Sequence, residues 1–536
     1  MNQPETIRDI VTLSVESFTD HTAYRFVGGE EFSYRRMGEA ILGIRSTLSD
    51  LDVTTGDRVA LLSESQPAWP AAYLAITSWS AVVVPILTEF TVEDVNGIME
   101  HSGSKVLIIS RRQQERCASA LKPGGARVLV LEDLFAKALE EGATEREGAT
   151  TSAGATTSAD DLPALSSEDT AAIIYTSGTT GHSKGVELSH RNIVSNVVAS
   201  DVFAGIQPGE KMLSLLPLAH TYECTLGMIL PFSKGATVSY LDRPASPTVL
   251  VNALKEVRPQ LMLAVPLLIE KMVRARVMPK LNKPVMKALR AIPGVSGVIY
   301  RAAGKKLLAA FGGRLRFFGI GGAPLAADVE DFLYRADFPY AIGYGLTETA
   351  PLLAGTSPHA NTRRSTGTNC PGVELRIQDG EIQARGPNIM KGYYRDPDQT
   401  AEVFTEDGWF RTGDLGVFDA QGRLYVKGRR KTVIIGSSGE NIYPEAIESV
   451  INQFKGVVES LVLDQGGKLV ARVILDYEIL KEQVREYADN TSAYLEQIRK
   501  QVNERLTAFS RLAEMIEQKE PFEKTPTFKI KRYLYQ

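Results

Sequence analysis

Short apolar segments recur at similar intervals along the first part of the chain, and this rhythm limits the fold more than any other feature. The segments are Arg58–Leu62, Lys105–Ile109 and Val128–Leu131, with helical sequence between them. Such alternation is typical of βαβ units that build a mostly parallel sheet. A second apolar block, rich in glycine, runs from Ala171 to about Tyr344. We therefore predict an α/β body made of parallel-sheet subdomains.

Strand candidates fill the second block, and the pattern changes after it. The candidates are Ala171–Tyr175, Met212–Leu216, Thr237–Tyr240, Leu261–Val265 and Leu315–Ile320. From about Gly367 to Tyr425, short strands with frequent glycine predict a small antiparallel or barrel-like piece. After Arg430, apolar residues recur at the three- and four-residue spacing of an amphipathic helix, which favours core packing over partner binding. These residues are Leu495, Ile498, Val502, Leu506 and Phe509.

Composition excludes several classes of protein. The chain has 536 residues, and at roughly 150 residues per domain this length predicts three or four units. A hydrophobic share of 43% with 23% charged residues excludes disordered, collagen-like and coiled-coil chains. The 60 basic and 64 acidic residues leave a formal charge of −4, which argues against a dedicated nucleic-acid binder.

Features that bear on location favour the cytoplasm. The three cysteines, Cys117, Cys224 and Cys370, form neither a metal knuckle nor a C-x-x-C pair, so a reduced setting is expected. The first residues lack the pattern of a signal peptide. The most apolar stretch, Ala71–Leu87, is broken by polar residues and a proline. It predicts a buried helix running into the strand Ala81–Val84, not a membrane span.

A low-complexity segment from about Gly142 to Ser167 interrupts the body. It contains the near-repeat Gly-Ala-Thr-Thr-Ser-Ala twice, and small polar residues of this kind bury little apolar surface. We predict a flexible surface insert that is dispensable for stability, and a recognition tail is the alternative.

The strongest local motif is the loop Tyr175–Gly185, which an apolar strand enters directly. It holds hydroxyl residues, glycines and one lysine, Lys184. Glycine lets backbone N–H groups approach an anion, and lysine adds a positive charge. The loop is not a Walker A motif, because Lys184 is followed by glycine and not by serine or threonine. A plain surface turn is the alternative, and the density of donors favours anion binding.

This loop resembles the phosphate-binding signature of the acyl-adenylate-forming enzymes, a superfamily that includes acyl-CoA synthetases, peptide-synthetase adenylation domains and luciferases. Further blocks similar to those of the family follow in the same order over essentially the whole chain. They are Gly321–Leu325, Tyr344–Glu348, Gly380–Gln383, Arg385–Pro387 with Gly392-Tyr393, Asp407–Asp414, Gly428–Lys431, Ser438–Glu445 and Lys524–Arg532.

The resemblance implies which residues bind the nucleotide. Tyr344 offers an aromatic face to adenine, and Asp414, with Arg429 beside it, accepts hydrogen bonds from the ribose. On composition alone Asp414 would be a turn residue, and the ordered motifs favour the functional role. The implied contacts are Thr176, Ser177, Gly178, Thr179, Thr180, Gly181, Lys184, Gly321, Gly322, Ala323, Pro324, Tyr344, Gly345, Asp414 and Arg429.

The resemblance also implies catalytic residues. Glu348 is similar to the family's metal-associated glutamate, and Mg²⁺ usually takes one or two carboxylates plus phosphate oxygens. Thr347 donates to the α-phosphate, and Lys529 stabilises the charge that develops there. His220 lies beside the acyl carboxylate, with a purely structural histidine as the alternative. Implied for the second half-reaction are the hinge residue Lys431 and the loop residues Ser438, Gly439 and Glu440.

Four positions depart from the family pattern, and none of them removes a group that performs chemistry. They are His182-Ser183 before the loop lysine, Leu267 in place of a frequent arginine, Thr432 after the hinge, and Phe528 before the terminal lysine. The sequences around Phe528 and around His220 resemble the long-chain branch of the family.

The resemblance as a whole implies an ATP-dependent fatty-acid–CoA ligase that uses Mg²⁺, with fatty acid, ATP and CoA as its small-molecule substrates. It also implies a large body over residues 1–430 and a small mobile α+β domain over residues 431–536. One alternative is an acyl-AMP ligase that loads an acyl carrier protein, although the compact stretch between Tyr344 and Asp414 favours CoA. The other is a catalytically dead nucleotide-binding regulator, which would require a missing key residue. Peripheral membrane contact is compatible with the sequence.

Overall fold

The structure of the protein, a computed structural model, describes residues 3–118, 120–148, 162–176, 184–436, 440–484, 487, 490–525 and 530–535. Within those residues the chain is built from mixed sheets covered by helices. The helices are α1 (Ile7–Ser17), α2 (Tyr34–Asp50), α3 (Ala68–Ser78), α4 (Val92–Ser102), α5 (Arg111–Cys117), α6 (Leu131–Gly148), α7 (His190–Ala204), a π-helix (Tyr222–Ile229), α8 (Leu230–Ser233), α9 (Pro247–Val257), α10 (Pro266–Arg276), α11 (Met278–Leu281), α12 (Pro284–Arg290), α13 (Val295–Ala310), α14 (Ala327–Arg335), α15 (Pro397–Val403), α16 (Pro444–Ile451), α17 (Tyr477–Gln483) and α18 (Thr491–Asn503).

The first sheet gathers strands from both ends of the body. Its order in space is β15 (Thr368–Asn369), β14 (Leu352–Gly355), β13 (Tyr340–Gly345), β12 (Phe317–Ile320), β11 (Leu261–Ala264), β9 (Lys211–Leu213), β10 (Thr237–Tyr240), β1 (Thr22–Phe26) and β2 (Glu31–Ser33). The central strands from β13 to β1 run parallel, and the strands at both edges are antiparallel. The carboxyl ends of β11, β12 and β13 therefore open onto one edge, where ligands bind in open α/β sheets.

The second sheet follows the rhythm of the amino-terminal sequence. Its order is β18 (Gly392–Tyr393), β8 (Lys184–Ser189), β7 (Thr170–Thr176), β4 (Val82–Ile86), β3 (Arg58–Leu62), β5 (Val106–Ile109) and β6 (Arg127–Val130). The five strands from β7 to β6 are parallel, as predicted, whereas β8 and β18 pair antiparallel. In the sequence, the glycine-rich loop lies between β7 and β8.

Three smaller sheets complete the chain. The first is antiparallel, with the order β16 (Glu374–Gln378), β17 (Glu381–Arg385), β19 (Phe410–Phe418) and β20 (Leu424–Arg429). The others are β21 (Ile434–Ile435) with β22 (Asn441–Ile442), and β23 (Val457–Gln465) with β24 (Lys468–Leu475) and β25 (Glu514–Glu517). Of the two alternatives for the small β piece, the antiparallel sheet is the one observed.

The apolar stretch Ala71–Leu87 behaves as predicted. It forms most of α3, all of whose residues are buried, and then the buried strand β4. A helix buried on every side needs no polar face, which explains its uninterrupted alanine, leucine and aromatic residues. In the described ranges, no helix is both long enough and apolar enough to cross a bilayer.

Residues after Arg430 have an apolar core of their own. Ile447, Ile451, Val473, Leu495 and Val502 belong to it, and all are nearly inaccessible to solvent. The predicted amphipathic helix is α18, but it ends at Asn503. The prediction that Leu506 and Phe509 continue it is wrong, because the chain turns after Asn503 and the Asn503 amide anchors the next segment through both Leu512 N and Leu512 O.

The predicted flexible insert is also shorter than its composition indicated. Its first residues extend α6 to Gly148, and α6 packs along α2. A Cβ at position 142 would lie 2.8 Å from Glu39 Cβ, so Gly142 permits this close approach. At the other end, Pro163 O accepts from Arg8 and Ser167 O accepts from Arg191 N. Residues 149–161 lie outside the described residues.

Candidate active site

Tyr344 and Asp414 come from different sheets and meet through a hydrogen bond. Tyr344 lies near the carboxyl end of β13, and its hydroxyl donates to Asp414 Oδ2 at 2.8 Å. The Asp414 side chain is only 7% exposed. Burial raises the pKa of the Tyr344 hydroxyl well above its usual range, and the Asp414 charge raises it further, so Tyr344 stays a neutral donor. This bond fixes the tyrosine ring relative to the carboxylate.

Arg429 completes this group from the neighbouring strand. Asp414 on β19 and Arg429 on β20 stand opposite each other in the antiparallel register, and Arg429 Nε lies 2.9 Å from Asp414 Oδ1. The arginine side chain is 45% exposed, so the pair opens toward solvent on one side. The sequence motifs predicted all three residues, and the structure brings them together as an aromatic face beside a charged acceptor and donor.

Glu348 has a partner that the sequence did not indicate. Tyr393 lies on β18 at the edge of the second sheet, and its hydroxyl donates to Glu348 Oε1 at 3.0 Å. Lys184 Nζ lies 5.0 Å from the centroid of the same tyrosine ring, within the range of a cation–π contact. Burial, followed by the nearby Glu348 charge, raises the pKa of Tyr393 above its usual range. Tyr393 thus links the predicted phosphate-loop lysine to the predicted metal glutamate.

The backbone after β17 holds the Glu348 turn in place. Thr347–Thr349 forms one turn of 3₁₀ helix. Met390 N donates to Glu348 O at 2.9 Å, and the Asn388 amide donates to Thr349 O at 2.8 Å. The turn also needs Gly345, because a Cβ there would lie 1.8 Å from the Pro351 carbonyl oxygen. The segment that carries Tyr393 therefore also fixes the main chain of the residue that Tyr393 contacts.

The predicted adenine segment follows β12 directly, and Tyr222 packs against it. Gly322 adopts a positive φ of 83°, which favours glycine. The aromatic Cζ of Tyr222 lies 3.3 Å from the position of a Cβ on Gly321. Ala323 and Pro324 follow in the same exposed turn. The segment 321–324 thus borders the π-helix that begins at Tyr222.

His220 stands just before that π-helix and is half-buried. Its Nδ1 accepts a hydrogen bond from Tyr222 N at 3.2 Å, which leaves the proton of a neutral ring on Nε2. Nearby, the buried Glu223 accepts from Ser214 Oγ at 2.5 Å. Burial raises the pKa of Glu223 to about 8, against the smaller opposite effect of that hydrogen bond. The motifs in the sequence predicted no role for Glu223.

An apolar cavity of about 60 Å³ begins next to Tyr222. It lies between the first sheet, α7 and the π-helix. Among the residues that line it are Phe203, Leu226, Leu263, Phe317, Ile342 and Leu352. No single motif predicts this cavity, because its wall comes from strands and helices that are far apart in the sequence.

Several predicted site residues lie outside the described residues. These are Ser177, Gly178, Thr179, Thr180 and Gly181 of the phosphate loop, Ser438 and Gly439 of the second loop, the terminal Lys529, and the departures His182-Ser183 and Phe528. The described residues that flank these gaps include Thr176, at the end of β7, Lys184, at the start of β8, and Glu440, whose carbonyl accepts from Gly436 N at 2.8 Å.

Lys431 lies in a short 3₁₀ turn between the β19–β20 hairpin and the carboxyl-terminal core. Polar contacts surround this turn on both sides. Arg430 pairs with Glu381 at 2.9 Å, and Thr432 Oγ1 donates to Glu445 Oε1 at 2.8 Å. The contacts of its neighbours therefore connect the small sheet to α16 across the predicted hinge.

Comparisons with known proteins show which family the chain is similar to. A family model described as AMP-binding enzyme matches residues 11–394. The peroxisomal long chain acyl-CoA synthetase 7 of Arabidopsis thaliana is 29% identical over 523 residues, which cover 89% of this chain and 74% of that protein. The long-chain-fatty-acid–CoA ligase FadD15 of Mycobacterium bovis is 30% identical over 453 residues, covering 80% and 74%.

A solved structure described as a fatty acyl CoA synthetase of Mycobacterium tuberculosis matches 99% of this chain and 98% of its own, with a TM-score of 0.67 and 25% identity. The family match extends from α1 to β18, and it contains the Tyr344, Glu348 and Tyr393 positions described above. The chain belongs to the AMP-binding enzyme family.

Proposed function

We propose that the chain is an ATP-dependent acid–thiol ligase of the long-chain acyl-CoA synthetase type. In the first step a carboxylate oxygen of the fatty acid attacks the α-phosphorus of ATP, forming acyl-AMP and expelling pyrophosphate. In the second step the thiol of CoA loses its proton, attacks the acyl carbonyl carbon and expels AMP. The observation that carries this proposal is that Tyr222 both lines the apolar cavity and packs against Gly321.

The contact between Tyr222 and Gly321 would bring the fatty acid and ATP close to each other. A fatty chain in the cavity would have its carboxylate end near Tyr222, beside the segment 321–324 that resembles the adenine-binding block. The cavity is lined by aliphatic and aromatic side chains, which suits an apolar chain. Its volume of about 60 Å³ holds only a few methylene groups, so a longer chain requires the cavity to widen on binding. We assign His220, whose Nδ1 already accepts from Tyr222 N, to the carboxylate end of this cavity.

The nucleotide end uses the group formed by Tyr344, Asp414 and Arg429. Asp414 accepts from the Tyr344 hydroxyl and pairs with Arg429, so its carboxylate is held in place to accept hydrogen bonds from the ribose. The Tyr344 ring is held by its own hydroxyl, so it need not be ordered when adenine binds. Such preorganisation lowers the entropic cost of aligning the acid with the α-phosphorus.

The acidic residues of the site fit a Mg²⁺ ion that the phosphate oxygens of ATP hold and to which the protein contributes few ligands. In the described part of the chain, no three His, Cys, Asp or Glu side chains converge on a metal-sized site. A single carboxylate such as Glu348 is nevertheless enough for Mg²⁺, which keeps waters and takes phosphate oxygens. When bound, Mg²⁺ would offset the negative charge of the phosphates. Tyr393 orients Glu348 for this task, and Lys184 adds a positive charge nearby.

Adenylation and thioester formation use residues from opposite ends of the carboxyl-terminal region. Lys529 serves adenylation, Lys431 is the hinge, and the loop with Ser438, Gly439 and Glu440 serves thioester formation. The separate apolar core after Arg430 supports a unit over residues 431–536 that moves as one body against residues 1–430. The polar contacts around Lys431 would break and reform during that movement.

The acceptor thiol and the location belong to the same proposal. We favour CoA as the acceptor over an acyl carrier protein, because the stretch between the Tyr344 and Asp414 blocks is compact. All three cysteines are buried and unpaired by disulfides, which supports a reducing compartment such as the cytoplasm. A catalytically dead regulator is disfavoured, since Glu348, Asp414 and Arg429 are all in contact with partners suited to their roles.

The test is release of pyrophosphate with CoA across a panel of straight-chain, benzoic and cinnamic-type acids. We expect activity to depend on both the acid and CoA, with kcat/KM highest for an aliphatic acid. Each methylene contributes roughly 1–3 kcal/mol at best, so neighbouring chain lengths should differ by tenfold or more only near the optimum. An aromatic acid that outcompetes every fatty acid would refute the long-chain assignment, and release without CoA-thioester would refute the acceptor.

A further inference from the structure

The segment 271–327 has a charge balance unlike that of the remaining chain. It carries twelve lysines and arginines and no aspartate or glutamate. The residues outside it comprise 48 basic and 64 acidic side chains, so the overall charge of −4 conceals a strongly basic region in an acidic protein. A charge asymmetry of this size indicates what the protein binds and does not indicate how it folds.

Residues 271–306 of this segment, which we call the basic crossover, run from α10 to α13 between the strands β11 and β12. Their most exposed part is α12, of which no residue is buried. Val285, on this helix, is 70% exposed; Ile292, two residues beyond its end, is 48% exposed, and Val298, on α13, is 59% exposed. Aliphatic side chains that are exposed to this extent contribute little to the core, and a group of them marks an interaction surface.

Helix α12 has two different faces. Val285 and Leu289 lie one turn apart on the same face, and Lys283 and Lys287 lie one turn apart on the opposite face. A lysine-rich face opposite an aliphatic face is the pattern of helices that lie in a lipid interface. Long lysine stems can reach from such a helix toward head groups on either side.

Most basic side chains of the crossover form no ion pair within the described residues and can therefore contact an anionic partner. Within the described ranges, Arg274 is its only member that forms an ion pair, with Asp328 at 3.2 Å. Lys280, Lys283 and Lys287 are exposed. The crossover has one aromatic residue, Tyr300, which is buried under Arg290. It thus offers cations and aliphatic groups but no exposed ring on which a nucleic-acid base could stack.

We infer that the basic crossover binds the surface of an anionic lipid bilayer. The lysines are complementary to anionic head groups, and the exposed side chains of Val285, Leu289 and Ile292 enter the apolar boundary below them. The inference goes beyond the proposed function, although a membrane is also where a long-chain acid would accumulate. It depends on no catalytic residue and is tested without a catalytic assay.

The experiment measures partition of the full-length protein onto phosphatidylcholine vesicles, with and without phosphatidylglycerol. The wild-type chain should bind the anionic vesicles at low salt and much less at high salt. The variant K280Q/K283Q/K287Q should bind on the order of 100-fold more weakly, given the attraction of each basic residue to an anionic surface. The matched control replaces three exposed lysines elsewhere, as K455Q/K468Q/K481Q, and should bind like wild type.

A second variant separates the apolar contribution from the charges. V285S/I292S should keep the salt-dependent binding and lose the part that persists at high salt. Melting curves of both variants should match wild type, because the changed side chains are exposed. No binding to anionic vesicles, an equal loss in the control variant, or binding to an acidic carrier protein in place of vesicles would each overturn the inference. Failure of acid activation would leave this vesicle result unchanged, so the two proposals fail separately.

Discussion

Replacing Tyr393 by phenylalanine tests the contact that organises the predicted metal site. The change removes the hydroxyl that donates to Glu348 Oε1 at 3.0 Å and keeps the ring beside Lys184. A hydrogen bond to a charged group contributes about 1.5–3 kcal/mol. If that energy is expressed in the adenylation barrier, the rate should fall about 10- to 150-fold.

The assay is acid-dependent ATP–pyrophosphate exchange measured over a range of Mg²⁺ concentrations. Because Tyr393 acts through Glu348, Tyr393→Phe should raise the Mg²⁺ concentration needed for half-maximal exchange as well as lower the rate. A purely structural tyrosine would leave that Mg²⁺ dependence unchanged. The control is Tyr394→Phe, which removes a hydroxyl from the neighbouring half-buried ring without touching Glu348.

A double-mutant cycle shows whether the two residues act together. Glu348→Gln alone should lower exchange strongly, since it removes the charge that would help to hold Mg²⁺. Adding Tyr393→Phe to that variant should cost less than about tenfold, because a bond to a neutral amide contributes only about 0.5–1.5 kcal/mol. Full additivity, or normal exchange in Tyr393→Phe, would refute the positioning role of this tyrosine. Normal exchange in Glu348→Gln would refute the metal assignment itself.

Three further predictions concern other parts of the chain. Lys529→Ala should abolish acyl-AMP formation yet convert supplied acyl-AMP and CoA to thioester, whereas Lys431→Pro should do the reverse, because proline restricts the hinge torsions; wild-type behaviour of either variant in its impaired half-reaction would contradict the two-conformation mechanism. The raised pKa of Glu223, about 8, means that its contribution to stability is lost as pH rises from about 4.5 through 8, so Glu223→Gln should melt like wild type at pH 5 and above it at pH 8; parallel melting temperatures across that range would contradict it. Replacing residues 142–167 by a short Gly-Ser linker should lower Tm by several degrees, because it removes the last turns of α6, including Gly142, which lies against Glu39 of α2; an unchanged Tm would show that this end contributes nothing.

The sequence by itself determined the elements and the order of the motifs. Thr237–Tyr240 and Arg58–Leu62 are strands with the predicted bounds, and the buried run Ala71–Leu87 is a helix followed by a strand. These are local patterns, in which residues close in the chain decide whether a segment buries one face, two faces or none. The motif blocks are likewise contiguous, so their resemblance to the family could be read without knowing the packing.

Local patterns failed where packing decided the outcome. Low-complexity composition predicted that residues from Gly142 onward are flexible, but helix α6 continues to Gly148, and Gly142 lies against Glu39 of α2. The spacing of Leu506 and Phe509 fitted a helix, but the amide of Asn503 binds the next segment and ends it. In both cases a contact outside the helix itself accompanied a departure from the local preference, which is weak for single residues.

Only the tertiary structure decided which of the predicted residues act on one another. Tyr393 and Glu348 are 45 residues apart, and Tyr344 and Asp414 are 70 apart, yet each pair forms one hydrogen bond. Each pair joins two different sheets, because Tyr393 lies on β18 of the second sheet and Glu348 follows β13 of the first, whereas Asp414 lies on β19 of the small antiparallel sheet and Tyr344 on β13. The cavity beside Tyr222 has the same origin, since its wall combines α7, the π-helix and five strands. Sequence spacing carries no information on such distances, which depend on how whole sheets pack.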